Sequence, residues 1–324
     1  MKVLCYSKKA YDLALKLEES LPINIYSKYK EAFKTQEVVQ AAFKENEDLI
    51  FISATGIAVR FIAPFLNNKE QDPAVLVIDD QGRFVISLCS GHLGGANDLA
   101  RNIAEKIGAI PVITTATDGR GYEGLDLYAK KMHFNYQSIH DLTPLTGAMV
   151  DDKKIFLYNP YNFQDPKYPN FTQDMDSEIG YSLAITDEES LDLPGYTVYL
   201  RPQILHLGLG CKKGANYEEL KLLLKSILKK LNLSLASIKD MASIDIKKDE
   251  VAFNQLSKDL GIDFFCFKAE ELSPFEDKVQ GSDFVKKTVG VSSVSATSAL
   301  KLGGELILEK EAYKGFTVSI SREV

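Results

Sequence analysis

The stretch LCSGHLGGAND, residues 88–98, sets a histidine in a glycine-rich turn directly behind an apolar run. Glycines let a backbone turn sharply and come close to a ligand. His92, between Gly91 and the pair Gly94 and Gly95, is thereby expected at the carboxyl end of a strand, the edge at which open α/β sheets receive ligands. An imidazole titrating near neutral pH can move protons there. The plainer reading of the same pattern is a histidine that fills the turn and bonds backbone. Ser90, Gly91, Gly94, Gly95 and Asn97 are the expected ligand contacts around it, since free amides at a helix start favour a carboxylate or phosphate. His133, His140 and His206 have no such setting and read as structural.

Three further turns carry polar groups. In TTATDGRG (114–121), Thr115 and Thr117 offer hydroxyls and Asp118 a carboxylate, either for chemistry or simply to cap a turn. In ATGIAVR (54–60), Thr55 can cap a helix, Gly56 permits the turn, and Arg60 can meet an anion, although a helix arginine is commonly solvated. In GLGCKKGAN (208–216), Gly208, Gly210 and Gly214 free the backbone, Cys211 lies between them, and Lys212 and Lys213 add charge. SIDIKKDE (243–250) adds Lys247 and Glu250 as candidate contacts, with helix-dipole compensation the plainer role for the glutamate. The spacing at 208–214 is G-x-G-x-x-x-G, one residue too long for a dinucleotide fingerprint, and no phosphate-loop motif occurs, which weighs against a nucleotide-dependent enzyme.

The elements that must hold these turns alternate. MKVLCYS, INIYSK, DLIFISA, AVLVIDD, FVISLCS and IPVITTA read as strands, with helical patterns at 10–21, 34–46, 55–66 and 94–108. After Pro202 the alternation restarts with ILHLGLG and the amphipathic stretch 216–233, and ends in a hairpin over 305–322. The fold class is α/β: two α/β units with mostly parallel sheets, at 1–139 and 203–324, joined by a smaller loop-rich middle domain at 140–202. That middle is acidic, with three lysines against ten Asp and Glu between 151 and 195.

A net charge of −7 over 324 residues argues against a nucleic-acid binder working through a basic field. Four isolated cysteines with no metal-ligand spacing suit a reduced, cytoplasmic protein, and no apolar run has the ~20 residues of a membrane span.

TGIAVRFIAPFL (55–66), KEQDPAVLVIDDQGRFVISLCSGHLGGANDLA (69–100) and PVITTATD (111–118) together resemble the amino-terminal module of the CbiG family, the cobalt-precorrin-5A hydrolases of anaerobic cobalamin biosynthesis. GLGCKKGA, ASIDIKKDE and VGVSSVSATSALKLGG resemble its carboxy-terminal module. The resemblance implies opening of a ring A lactone on a cobalt tetrapyrrole, with release of acetaldehyde. The cobalt would arrive inside the substrate, so no cofactor and no protein-bound metal are expected. Lactone hydrolysis needs an activated water and a stabilised oxyanion. The implied roles are His92 as base, amides around Gly94 and Gly95 as oxyanion donors, and Thr115, Thr117 and Asp118 positioning water or a substrate carboxylate. Arg60, Lys212 and Lys213 would meet substrate carboxylates. Where the family pattern carries V-x-E, this chain reads Val294-Ser295-Ala296, which removes one carboxylate and shifts the expected chemistry to the amino-terminal edge. The alternative is a non-catalytic binding protein of the same pathway; hand-over to pathway methyltransferases is expected under either reading.

Overall fold

A computed structural model describes residues 1–68, 71–176 and 178–323. Lys69 and Glu70, which head the 69–100 stretch, lie outside the described residues, as do Ser177 and Val324. The chain divides into two compact units: Met1–Lys131 with Ser138–Lys153 and Pro166–Asn170, and Met132–Gln137 with Lys154–Asp165 and Phe171–Val324.

The first unit contains β1 (Lys2–Cys5), α1 (Lys8–Glu18), β2 (Asn24–Ser27), α2 (Thr35–Glu45), β3 (Leu49–Ile52), α3 (Thr55–Ile62), β4 (Val75–Ile78), β5 (Phe84–Cys89), α4 (Ala96–Ile107), β6 (Ile110–Val112), α5 (Ala116–Arg120), α6 (Leu125–Met132) and α7 (Ile139–Val150). Its sheet has the order β2-β1-β3-β4-β5-β6. β1, β3 and β4 are buried at every position because helices cover both faces, and side chains alternate between them. Val3, Cys5, Ile50, Ile52, Leu76 and Ile78 meet α1 and α4 on one face. Leu4, Leu49, Phe51, Val75 and Val77 meet α2 and α3 on the other.

One reversal decides where the functional turns fall. β1 to β4 run parallel, but β5 is antiparallel to β4, and β6 follows β5. The hairpin is made by Gly82 at φ +67° and by Asp79, whose Oδ1 accepts from the amides of Arg83 (2.7 Å) and Phe84 (2.8 Å). The end of β3 therefore lies level with Ile78 and Val85, whereas the end of β5, Cys89, pairs with Val75 at the start of β4. Turns after β3 and after β5 leave from opposite edges of the sheet, on the order of 10 Å apart along the strands at about 3.3 Å per residue.

The second unit holds two sheets. β7 (Phe134–Asn135), β8 (Ile155–Tyr158), β9 (Phe171–Thr172), β10 (Tyr181–Ile185) and β11 (Tyr196–Pro202) form one in the order β7-β11-β10-β8-β9, parallel except for β7. The loop-rich stretch thus has its own small parallel sheet, while α7, inside the expected 140–202 segment, joins the first unit. The other sheet is built from β12 (Leu205–Cys211), β13 (Ile238–Ile244), β14 (Asp263–Phe267), β15 (Glu305–Tyr313) and β16 (Phe316–Arg322), ordered β14-β13-β12-β16-β15. α8 (Tyr217–Leu231) and α9 (Val251–Leu260) bury Leu220, Leu224, Phe253 and Leu256 against it. α10 (Ala269–Leu272), α11 (Asp283–Val289) and α12 (Val294–Leu302) complete the unit.

Candidate functional site

In the first unit a cavity of about 440 Å³ opens at the carboxyl ends of β5 and β6. Ser90, Gly91 and His92 line it from the turn after β5, Thr115 and Thr117 from the start of α5, and Asp126 from α6. The remaining wall is α7, whose residues 139, 142, 143, 146, 147 and 150 face it at helical spacing. That regularity was present in the sequence but masked by Pro144, by Gly147 and by two threonines. Thr143 and Thr146 keep their hydroxyls satisfied by donating to the carbonyls of Ile139 and Leu142.

His92 is held from both sides. Its Nε2 lies 2.9 Å from Asp118 Oδ2, and its Nδ1 lies 3.3 Å from Asp126 Oδ1. An ionised carboxylate only accepts hydrogen bonds, so two of them favour a ring with both nitrogens protonated. The bond to Asp126 raises the His92 pKa, burial works against it, and Asp118 adds to the rise. Burial pushes both aspartates up, but the outcome for each is a lowered pKa: Arg101 and His92 hold Asp118 down, and His92 holds Asp126 down. Behind Asp118, Arg101 forms an ion pair with Oδ1, and Asn97 Nδ2 donates 3.0 Å hydrogen bonds to Oδ2 and to Thr115 Oγ1. Asn97 Oδ1 is buried without a hydrogen-bond partner among the described residues.

The glycines of this turn serve packing. A Cβ on Gly91 would lie 2.8 Å from Asn97 Oδ1, and one on Gly94 would lie 2.4 Å from Ser90 Cβ. The amides of Gly95, Ala96 and Asn97 donate to the carbonyls of His92, Ser90 and Gly91. At Gly95, Ala96 and Asn97 the loop's own carbonyls thus take the amides that a ligand would need, and neither Gly94 nor Gly95 lines the cavity.

Thr55, Gly56 and Arg60 are not brought to this cavity. They begin α3 after β3, on the far sheet edge, where exposed Arg60 makes a 3.4 Å bond from Nη1 to the Gly56 carbonyl. The β4–β5 hairpin sends the turn after β3 and the turn after β5 to opposite edges of the sheet. Asp126 and Arg101 were missed because an acid or base in an amphipathic helix looks like ordinary surface.

The second unit has its own cavity of about 550 Å³, and Gly210, Cys211, Lys212 and Lys247 line it with Phe284 and Val294. Glu250 holds Lys247 at 3.0 Å and accepts from the Gly214 amide at 3.2 Å. Burial lifts the Cys211 thiol to about 11 despite the nearby Lys247 ammonium, which keeps it unreactive near neutral pH. Gly208, expected to admit a ligand, instead admits α12: a Cβ there would lie 1.7 Å from the Ser295 carbonyl oxygen. Ala296 is fully buried in α12 and lines neither cavity. Among the described residues no group of three His, Cys, Asp or Glu could hold a metal ion, and no helix is long and apolar enough to cross a membrane.

Family models described as Cobalamin synthesis G N-terminal and Cobalamin synthesis G C-terminus match residues 37–118 and 205–321. A Cobalt-precorrin-5A hydrolase of Salmonella typhimurium is 34% identical over 98% of this chain and 96% of its own length. Another, of Priestia megaterium, is 32% identical over 88% of this chain and 80% of its own. The solved structure of CobE, a protein from the cobalamin (vitamin B12) biosynthetic pathway, aligns with 38% of this chain and 92% of its own at 30% identity, with a TM-score of 0.36. The matches at both ends and the likeness over nearly the full length show that this chain belongs to the CbiG family, the cobalamin synthesis G proteins.

Proposed function

We propose that this protein is a cobalt-precorrin-5A hydrolase: it opens the ring A lactone of a cobalt tetrapyrrole with water and releases the two-carbon fragment as acetaldehyde. The observation that carries the reading is His92 held between two carboxylates at the wall of a cavity, in a chain similar along its length to proteins named for that activity. In this setting His92 acts as a cation. With its N–H groups on Asp118 and Asp126, it lends positive charge, not a hydrogen bond, to the oxyanion that forms when water adds to the lactone carbonyl. Asp118, fixed by Arg101 and Asn97, orients the ring. Ser90, Thr115 and Thr117 supply hydroxyls to the same space.

The substrate carries many carboxylates, and Lys212 and Lys247 in the second unit's cavity are suited to receive some of them. The cobalt travels as part of the substrate, and the protein needs no cofactor of its own. A cytoplasmic location with hand-over to pathway methyltransferases completes the proposal. The test is incubation with the lactone substrate and measurement of acetaldehyde. Wild type releases it and His92→Ala does so at least ~100-fold more slowly, the scale of losing a preorganised oxyanion partner. A wild type that binds substrate but releases no acetaldehyde sinks the reading, and an unimpaired His92→Ala sinks the role given to this residue.

A further inference from the structure

Only two titratable side chains line the first unit's cavity among the described residues, His92 and Asp126; the rest of the lining is Gly, Ser, Thr and apolar groups. Water attack on a lactone needs a proton acceptor. A doubly protonated imidazole whose two N–H groups face carboxylates has no lone pair to give. Asp126 is the other titratable group at the cavity wall. Its Oδ1 accepts from the Leu127 amide at 2.9 Å and faces His92 Nδ1, and the residue's own amide also bonds the carboxylate. An aspartate in the first turn of a helix ordinarily only answers the helix dipole. Here the side chain also lines the cavity, where a carboxylate keeps lone pairs for a further donor such as water.

We propose that Asp126 is the catalytic proton acceptor of this site, with Oδ2 taking the proton of the water that opens the lactone. The inference rests on the hydrolase reading above. As the water oxygen bonds to the carbonyl carbon, one water O–H breaks and its proton passes to Oδ2. When the ring C–O bond then breaks, Asp126 returns the proton to the departing alkoxide. This step gives an acid and an alcohol and consumes one water. Acetaldehyde leaves afterwards, when the alcohol loses its O–H proton and its carbon–carbon bond to the macrocycle breaks with the electron pair staying on the macrocycle, so no further reactant is required. His92 keeps both protons throughout. The family match at the amino-terminal end stops at residue 118, so the assignment comes from the tertiary contact alone.

The charged groups around Asp126 are few. His92 approaches from the turn after β5, with Asp118 of α5 and Arg101 of α4 behind it. Lys130, one turn further along α6, spends its ammonium on the Leu93 carbonyl at 2.9 Å. α7 presents no titratable side chain to the cavity.

Asp126→Asn keeps the shape and can still accept from His92, but it cannot take a proton. We expect its kcat for acetaldehyde release to fall about 100-fold or more while KM stays within threefold, the range for loss of a positioned base. Asp126→Glu retains a carboxylate and is expected to recover part of kcat, with the acid limb of its pH–rate profile displaced. A kcat within threefold of wild type in Asp126→Asn, or a loss confined to KM, overturns the proposal. Should Asp126→Asn not fold, Asp126→Glu decides: an unchanged kcat and acid limb overturn the proposal. A wild type that releases no acetaldehyde instead removes the hydrolase reading and the acceptor role with it.

Discussion

Gly124 gives the most direct test of the His92–Asp126 contact, because a substitution there reaches that contact without changing the chemistry of either side chain. A Cβ at this position would lie 2.7 Å from Asp126 Oδ1 and 2.9 Å from both His92 Cε1 and Nδ1, where ordinary contacts begin near 3.4 Å. Its φ is not in the left-handed region, so the backbone accepts alanine and the effect is purely steric. The two side chains must separate by about 0.5–0.7 Å, which stretches a 3.3 Å contact to roughly 4 Å and ends it as a hydrogen bond. Displacements approaching 1 Å at a reacting centre cost about 10²-fold in rate. Gly124→Ala is therefore expected to lower kcat about 30–100-fold. The lost charged hydrogen bond costs about 1.5–3 kcal/mol, or a melting point lower by several degrees. Acetaldehyde release, followed by coupled reduction with alcohol dehydrogenase and NADH, reads the first effect, and thermal unfolding reads the second. Gly119→Ala is the control, since a Cβ there meets nothing within 4 Å. Wild-type kcat in Gly124→Ala with an unchanged melting point would refute the reasoning, because the contact would then be neither formed nor needed.

The remaining predictions follow from the same contacts. Arg60→Ala should leave KM and kcat within twofold of wild type, since α3 starts on the sheet edge opposite the cavity; a tenfold rise in KM would show that the separation is wrong. Gly208→Ala forces a methyl against the backbone oxygen of Ser295, which has no flexible escape, and should destabilise the second unit by about 3 kcal/mol or more in denaturant unfolding. His92, with its pKa raised, contributes stability that is complete below its ordinary ~6.5 and fades as pH rises through the folded value; Asp118 and Asp126, with theirs lowered, contribute above ~3.9 and lose it as pH falls through theirs. The melting-point gap between wild type and His92→Gln should accordingly be widest between about pH 4 and pH 6.5 and narrow on the alkaline side. A gap independent of pH would mean that the ring is not charged in the folded protein.

The sequence by itself determined the strand–helix alternation, the α/β class, the family and the turn that carries His92. Those features are local. Apolar runs of four residues such as LIFI and VLVI make buried strands in any α/β frame, and a glycine-flanked histidine after a strand is visible without knowing where the strand lies. Tertiary structure decided everything that depends on which way a strand runs and on what meets across the chain. The β4–β5 reversal sent Thr55, Gly56 and Arg60 to one edge and His92 to the other, though all follow strands in the same manner. The glycines at 94 and 208 gave the sequence signal of a ligand cradle, but the Ser90 side chain and helix α12 fill the space, and glycine alone does not distinguish a ligand from the chain itself. Asp126 lies 34 positions from His92 in a helix start of ordinary composition. Its identity as His92's partner exists only in the folded chain, since a hydrogen bond between distant residues leaves no mark on local sequence spacing.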